Sequence, residues 1–344
     1  VPSDLDDRGL TRGFTARVLE FQWSTLHEEA TETDAWPILQ FQSDEEPSFR
    51  PYLLVAPYFY IQDGTLEQWL PKNIELAEVA ADVGSEYSTD IAAQVVIDRN
   101  LLTHDERRRA IAGAYGDQPL DTILLWIDDF PEHEASPAEL EGLIDLTTRL
   151  SSQGKTLVNL YGGFFSVLLT NPENGPLHGV CHGPQYGEDR SVTPVGGGLP
   201  TARFYLWPLH DRVRFAKSLR LIRDEGWLEN IESYRDNVCS CQQCQDLIAE
   251  HGVEDGFLTY GMTDDTTFQR GGRTVTMSYP TWEAQKAATA HYMYMKQREY
   301  RAAREEDLDN ITNHLGDSYN KFSETFGGSV NYLRRWENAV REIL

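Results

Sequence analysis

The chain is short of lysine, with six in 344 residues, and its 30 basic residues stand against 55 Asp and Glu. The formal net charge of −25 argues against a protein held to nucleic acid by bulk charge in dilute buffer, because phosphate neutralisation by Lys and Arg supplies most of that affinity. Cysteine is also scarce. Three of the four lie within six residues, too tight for a disulfide framework and suited to a metal site in a reducing compartment. No run approaches the roughly 18 consecutive apolar residues of a membrane span, and the opening VPSDLDDRGLTRGF has no basic flank followed by an apolar stretch. These absences predict a cytoplasmic protein with no membrane partner. No internal repeat or low-complexity stretch occurs.

What is present is enough apolar material, 40% of the residues, to bury a large core. The acid excess is spread along the chain and resembles that of proteins from salt-accumulating halophilic archaea. In concentrated salt, counterion release contributes little, so nucleic-acid binding would rest on stacking, hydrogen bonds and a few placed arginines. Charge therefore leaves the partner open.

From residue 52 onward, β-branched apolar runs alternate with amphipathic stretches, the pattern of parallel strands joined by helices. The predicted strands are Tyr52–Tyr60, Ala93–Asp98, Thr122–Phe130, Thr156–Phe165, Leu177–Gly183 and Ala202–Pro208, with Trp36–Phe41 and Leu228–Tyr234 as weaker members. Helices are predicted over Leu66–Val83, Asp105–Ala114 and Pro137–Ser152. Eight strands would complete a (β/α)8 barrel, and the glycine-rich phosphate turn of a dinucleotide-binding open sheet is absent after the first strand. The expected fold is thus α/β, a TIM-like barrel with an appended metal-binding subdomain and C-terminal helices. The expected divisions are 1–50 as an N-terminal extension, 51–236 as the barrel, 237–310 as the zinc-binding subdomain and 311–344 as a helical segment. Within the third, Gly256–Met277 reads as a hairpin turning near Arg270-Gly271-Gly272-Arg273.

The run Val238-Cys239-Ser240-Cys241-Gln242-Gln243-Cys244 can point three thiols at one centre. Zinc is the natural occupant, since it favours tetrahedral thiolate and imidazole ligands, and four protein ligands close a structural site. The fourth ligand must come from His251, His291 or His314, between which spacing does not choose. His251 would have to reach back over two turns of the helix that Cys244 opens. His291 lies on a predicted helix over Trp282–Arg304, whose packing a metal clip would fix.

CxCxxC after an α/β pattern, with a histidine on a later helix, resembles the tRNA-guanine transglycosylase superfamily, which includes DNA-modifying paralogues. The resemblance is carried by Cys239, Cys241, Cys244 and His291, and architecturally by residues 50–310. It implies a barrel with a zinc subdomain that exchanges guanine in RNA or DNA for a deazaguanine base through a covalent aspartyl intermediate. The family's DSGGFQ signature is absent here. So is its FDCV-like nucleophile segment, whose nearest counterpart is Leu209-His210-Asp211-Arg212-Val213. The interval from Cys244 to His291 is also long for the family, as though 252–280 were inserted.

Catalytic residues must accordingly be sought by position, at the carboxyl ends of barrel strands. Asp98, Asp128, Asp129 and Glu188 are the candidates there, because base exchange by a retaining route needs one carboxylate to attack the anomeric carbon and a second group to manage the proton. A strand-end carboxylate also commonly caps the next helix or pairs with arginine. Substrate-binding candidates are His182, Tyr186, Gly187, Gly197 and His210 in the glycine-rich stretch after Leu177, with Tyr161 as part of an aromatic wall for a base. Arg298, Arg301 and Arg304 at helical spacing could face phosphate, or could pair with Glu299, Glu305 and Glu306. Two other readings stay open: a non-catalytic nucleic-acid-binding relative, and a barrel hydrolase or lyase using Glu188, His182 and His210 as acid–base groups. A homodimer is among the assemblies this reading admits.

Overall fold

The chain begins with helix α1 (Arg8–Glu32) and then alternates strand and helix: β1 (Leu53–Val55), α2 (Leu66–Gly84), β2 (Asp90–Asp98), α3 (Asp105–Asp117), β3 (Thr122–Asp128), α4 (Pro137–Ser152), β4 (Thr156–Leu160), α5 (Phe164–Leu168) and β5 (Gly179–Cys181). These five strands form one parallel sheet in the order β1-β2-β3-β4-β5. The computed structural model describes residues 8–32, 51–183, 188–193 and 201–342. The weak candidate strand Trp36–Phe41 lies outside them.

Some element limits have a clear local cause. Helix α4 starts where Ser136 accepts from the Glu139 amide while the Glu139 carboxylate reaches back to the Ser136 amide, with Pro137 at the first helical position. Ala92–Ile97 of β2 is buried without interruption, the signature of a strand covered on both faces. The predicted strand Thr156–Phe165 stops at Leu160 instead. Tyr161 adopts a positive φ of 59° and Gly162-Gly163 follows, so the backbone leaves the ladder before the apolar run ends.

Beyond the sheet the predicted alternation fails. Strand β6 (Arg203–Leu206) pairs antiparallel with β7 (Asp211–Arg214) and does not join the five. Leu228–Tyr234 is not a strand: Asn230 caps a helix by accepting from the Ser233 amide at 2.8 Å, and that capping signal outweighs the apolar pattern. The chain continues through α6 (Phe215–Asp224), α7 (Ile231–Asn237), α8 (Gln242–His251) and α9 (Val253–Leu258). The hairpin follows as β8 (Thr263–Arg270) and β9 (Arg273–Pro280), turning on Gly271 and Gly272, both at positive φ.

Three helices close the structure: α10 (Trp282–Glu305), α11 (Leu308–Phe326) and α12 (Asn331–Arg341). The last packs back on the sheet's loops. Trp336, nearly fully buried, donates from Nε1 to the Glu132 carbonyl at 3.2 Å, and Tyr332 donates to the Leu209 carbonyl at 2.7 Å. Among the described residues, no helix is long and apolar enough to cross a membrane.

Candidate metal centre and carboxylate sites

Cys239, Cys241, Cys244 and His291 are all buried, and their ligand atoms lie within 4.8 Å of one another. The loop between α7 and α8 gathers the sulfurs: the Cys241 amide donates to Cys239 Sγ at 3.2 Å, and the Cys244 amide to Cys241 Sγ at 3.4 Å. Helix α10 brings the imidazole from 47 residues away, with Nδ1 3.6 Å from Cys244 Sγ and 3.7 Å from Cys241 Sγ. Its other nitrogen, Nε2, lies 2.9 Å from the Tyr205 carbonyl. A carbonyl only accepts, so Nε2 carries the proton and Nδ1 turns its lone pair to the thiols, the orientation a metal-bound histidine needs. These donors can hold a metal ion. His251, by contrast, stands half-exposed beside Glu250.

The strand-end carboxylates form a second centre. Asp98 and Asp128 are opposite each other in the β2–β3 register. Tyr60 bridges them, its hydroxyl 2.6 Å from Asp128 Oδ2 and 3.4 Å from Asp98 Oδ2. Asp128 Oδ1 also accepts from the Val192 amide at 2.6 Å, and Asp98 Oδ1 from the Asn100 amide at 2.8 Å. Burial and these two carboxylates drive the Tyr60 pKa far above its ordinary value, so it remains a donor. Asp129 has a positive φ of 47°, and its backbone serves as a clamp, donating to the Arg190 carbonyl and accepting from Arg99 Nη1 at 3.0 Å. Tyr161 and Trp126 pack 5.2 Å apart, and the Arg190 guanidinium lies over both rings, bonding the Tyr161 hydroxyl at 2.7 Å. The aromatic wall therefore exists with an arginine laid across it.

A third centre surrounds a cavity of about 610 Å3 between the sheet's loops, β6–β7 and α10. Glu188, at its edge, is ion-paired to the buried Lys296 and accepts from the Tyr292 hydroxyl at 3.2 Å. Lys296 also reaches Glu299 Oε2 at 2.8 Å and the Tyr205 hydroxyl at 3.0 Å. Burial disfavours its cation, yet the two glutamates together raise its pKa above that of an ordinary lysine. Glu299 is fully buried, and although burial opposes its ionisation, Lys296 and His210 pull it down to about 2.

Close by, a Cβ at Gly163 would lie 2.7 Å from Glu132 Oε2 and 3.0 Å from Glu188 Oε2, which explains glycine there. Burial pushes Glu132 up to about 7, against hydrogen bonds from Ser166. His182 has Nδ1 2.6 Å from the Gly162 carbonyl, and burial takes its pKa down to about 4.

The structure thus brings together Asp98 with Asp128, and Glu188 with His210 through Lys296 and Glu299. Tyr186, Gly187 and Gly197 lie outside the described residues. Arg298 lies over the Trp207 ring at 4.1 Å, and its expected neighbour Glu299 is turned inward to Lys296. Sequence reasoning passed over Tyr60, Glu132 and Lys296, and it took Glu299 only as a partner for surface arginines. Glu132 had a signal, four residues past the strand end at Asp128, and Lys296 and Glu299 share the helix of His291, the candidate metal ligand. No family model, curated protein or solved structure matches the chain.

Proposed function

We propose that the chain is a zinc-stapled, barrel-type enzyme that exchanges a guanine in RNA or DNA for a deazaguanine base. The observation that carries this reading is the Asp98–Asp128 pair, held on adjacent parallel strands under one tyrosine hydroxyl. Two carboxylates at the carboxyl ends of neighbouring strands supply what a retaining glycosyl transfer requires. Asp98, whose Oδ2 is only loosely approached by Tyr60 at 3.4 Å, is the better nucleophile. Asp128, clamped by Tyr60 and the Val192 amide, is the better group to orient the base.

In the proposed step the Asp98 carboxylate bonds to the anomeric carbon as the bond to the base nitrogen breaks. The base leaves with that electron pair and takes up a proton, and an incoming deazaguanine reverses the sequence and regenerates the carboxylate. Stacking against Trp126, Tyr161 and Arg190 would hold a base flipped from its strand. The unidirectional strand order supports a barrel, since a doubly wound sheet reverses at a switch point. Zinc suits the three thiols and one imidazole, and it would act structurally, fixing α10 against the CxCxxC loop.

The test is to incubate the protein with guanine-containing RNA and DNA and look for a covalent adduct on denaturing gels, then to repeat with Asp98→Asn and Asp128→Asn. Loss of the adduct in Asp98→Asn supports exchange. Nucleic-acid binding with no adduct in any variant would instead identify a binding subunit.

A further inference from the structure

Two tyrosines converge on one sulfur of the metal centre. Tyr234, on α7, places its hydroxyl 3.4 Å from Cys244 Sγ, and Tyr260, in the turn Thr259–Gly261 after α9, places its own 3.0 Å from the same atom. They come from opposite sides of it in the chain, 10 residues before Cys244 and 16 after. Both tyrosines are 1% exposed, and Cys244 Sγ is the one hydrogen-bond partner that either hydroxyl has among the described residues. A buried phenol needs a partner, and both of these find it in a sulfur.

Neighbouring rings hold them there. Phe257 meets Tyr234 edge-on at a centroid distance of 6.2 Å, and Phe204 lies edge-on to Tyr260 at 4.9 Å while stacking on His291 at 4.2 Å. The other two sulfurs are served differently. Cys239 Sγ and Cys241 Sγ each accept from a backbone amide of the CxCxxC loop, a donor that the loop supplies whatever its side chains. Only Cys244 takes side-chain hydroxyls. A sulfur that holds a metal is deprotonated and only accepts, so both hydroxyls donate. Three thiolates and one neutral imidazole around a divalent ion leave one net negative charge, in a centre whose ligands are all buried. Hydrogen bonds to a charged sulfur offset the cost of burying it.

We propose that Tyr234 and Tyr260 are positioning residues of the metal centre: their hydroxyls donate to the Cys244 thiolate, stabilise its charge and fix its sulfur for the ion. Through the same bonds the ion ties α7 and the turn after α9 to the CxCxxC loop and α10. The proposal rests on a metal occupying the centre and is independent of base exchange.

Tyr260→Phe and Tyr234→Phe each remove one hydroxyl and keep the ring. Tyr332→Phe is the control, since it removes a buried hydroxyl bonded to the Leu209 carbonyl instead of to a sulfur. Zinc affinity of the full chain is measured by competition with a chromophoric chelator, and cobalt(II) loaded in place of zinc reports the sulfur-to-metal charge-transfer band. Tyr260→Phe is expected to weaken zinc binding at least about tenfold, and Tyr234→Phe, which loses the longer bond, to weaken it less. In both, the band is expected to move to longer wavelength, because a sulfur without its donor holds its electrons less tightly. Tyr332→Phe should leave affinity and band in place. A folded Tyr260→Phe with an unmoved band, or the same shift in Tyr332→Phe, would overturn the proposal while the metal centre stands. Should Tyr260→Phe fail to fold, an unmoved band in Tyr234→Phe would overturn it equally. A wild-type chain that takes up neither zinc nor cobalt would overturn both the proposal and the metal centre.

Discussion

His291 donates from Nε2 to the Tyr205 carbonyl at 2.9 Å, so a residue of the metal centre and a strand beside the cavity are joined by one hydrogen bond. Tyr205 in turn donates its hydroxyl to Glu299, on the helix that carries His291. Candidate metal ligand, cavity wall and buried ion pair share one helix, and disturbing any one of them should be felt by the others.

The metal centre is the first test. Elemental analysis is expected to find one zinc per chain, retained in Ser240→Ala and lost in Cys241→Ser. Because the binding free energy of a closed site is also folding free energy, Cys241→Ser or chelation should lower the cooperative thermal midpoint by about 10 °C or more. A metal-free wild-type protein with an unchanged melting curve would refute the assignment.

Buried charge provides the second. Lys296→Met would leave Glu299, which is 0% exposed, without its cation, and Glu188 without an ion-pair partner. Breaking a buried pair from one side costs about 3–5 kcal/mol, readable as a fall in the urea midpoint. Lys296→Met with Glu299→Gln should recover part of that loss, because the unpaired charge is then gone.

The third expectation concerns pH. Glu132 holds its proton up to about 7 in the folded chain, against 4.5 as its ordinary value. Its folded pKa is raised, so the stability it contributes is fully present below about pH 4.5 and is lost as pH rises through about 7. At about 1.4 kcal/mol per unit, the loss is about 3 kcal/mol. Urea midpoints measured between those limits should fall more steeply in wild type than in Glu132→Gln, which cannot titrate. Parallel slopes would place the Glu132 ionisation elsewhere.

The carboxylate pair gives the fourth. Asp98→Asn should reduce base exchange by about a thousandfold or more if it removes the nucleophile, with the melting midpoint little changed. Tyr60→Phe removes a donor to Asp128 without changing shape, and a fall of about tenfold is expected. Single-turnover exchange assays separate the two effects.

Short-range sequence determined the features that lie within one or two turns of chain. Three thiols in six residues, a helix opening at Pro137 and the Gly271-Gly272 turn were all legible, because short-range spacing fixes their geometry. The apolar alternation likewise located the five parallel strands, since each must bury its own side chains. Tertiary structure decided which of three histidines turns to the thiols, that β6 pairs with β7, and that Tyr60 bridges Asp98 and Asp128. Tyr60 and Asp128 are 68 residues apart, and their contact depends on strand register and helix packing that no local spacing encodes. Lys296 escaped notice for the same reason: its burial is made tolerable by Glu188, 108 positions earlier in the chain, and only folding brings the two charges together.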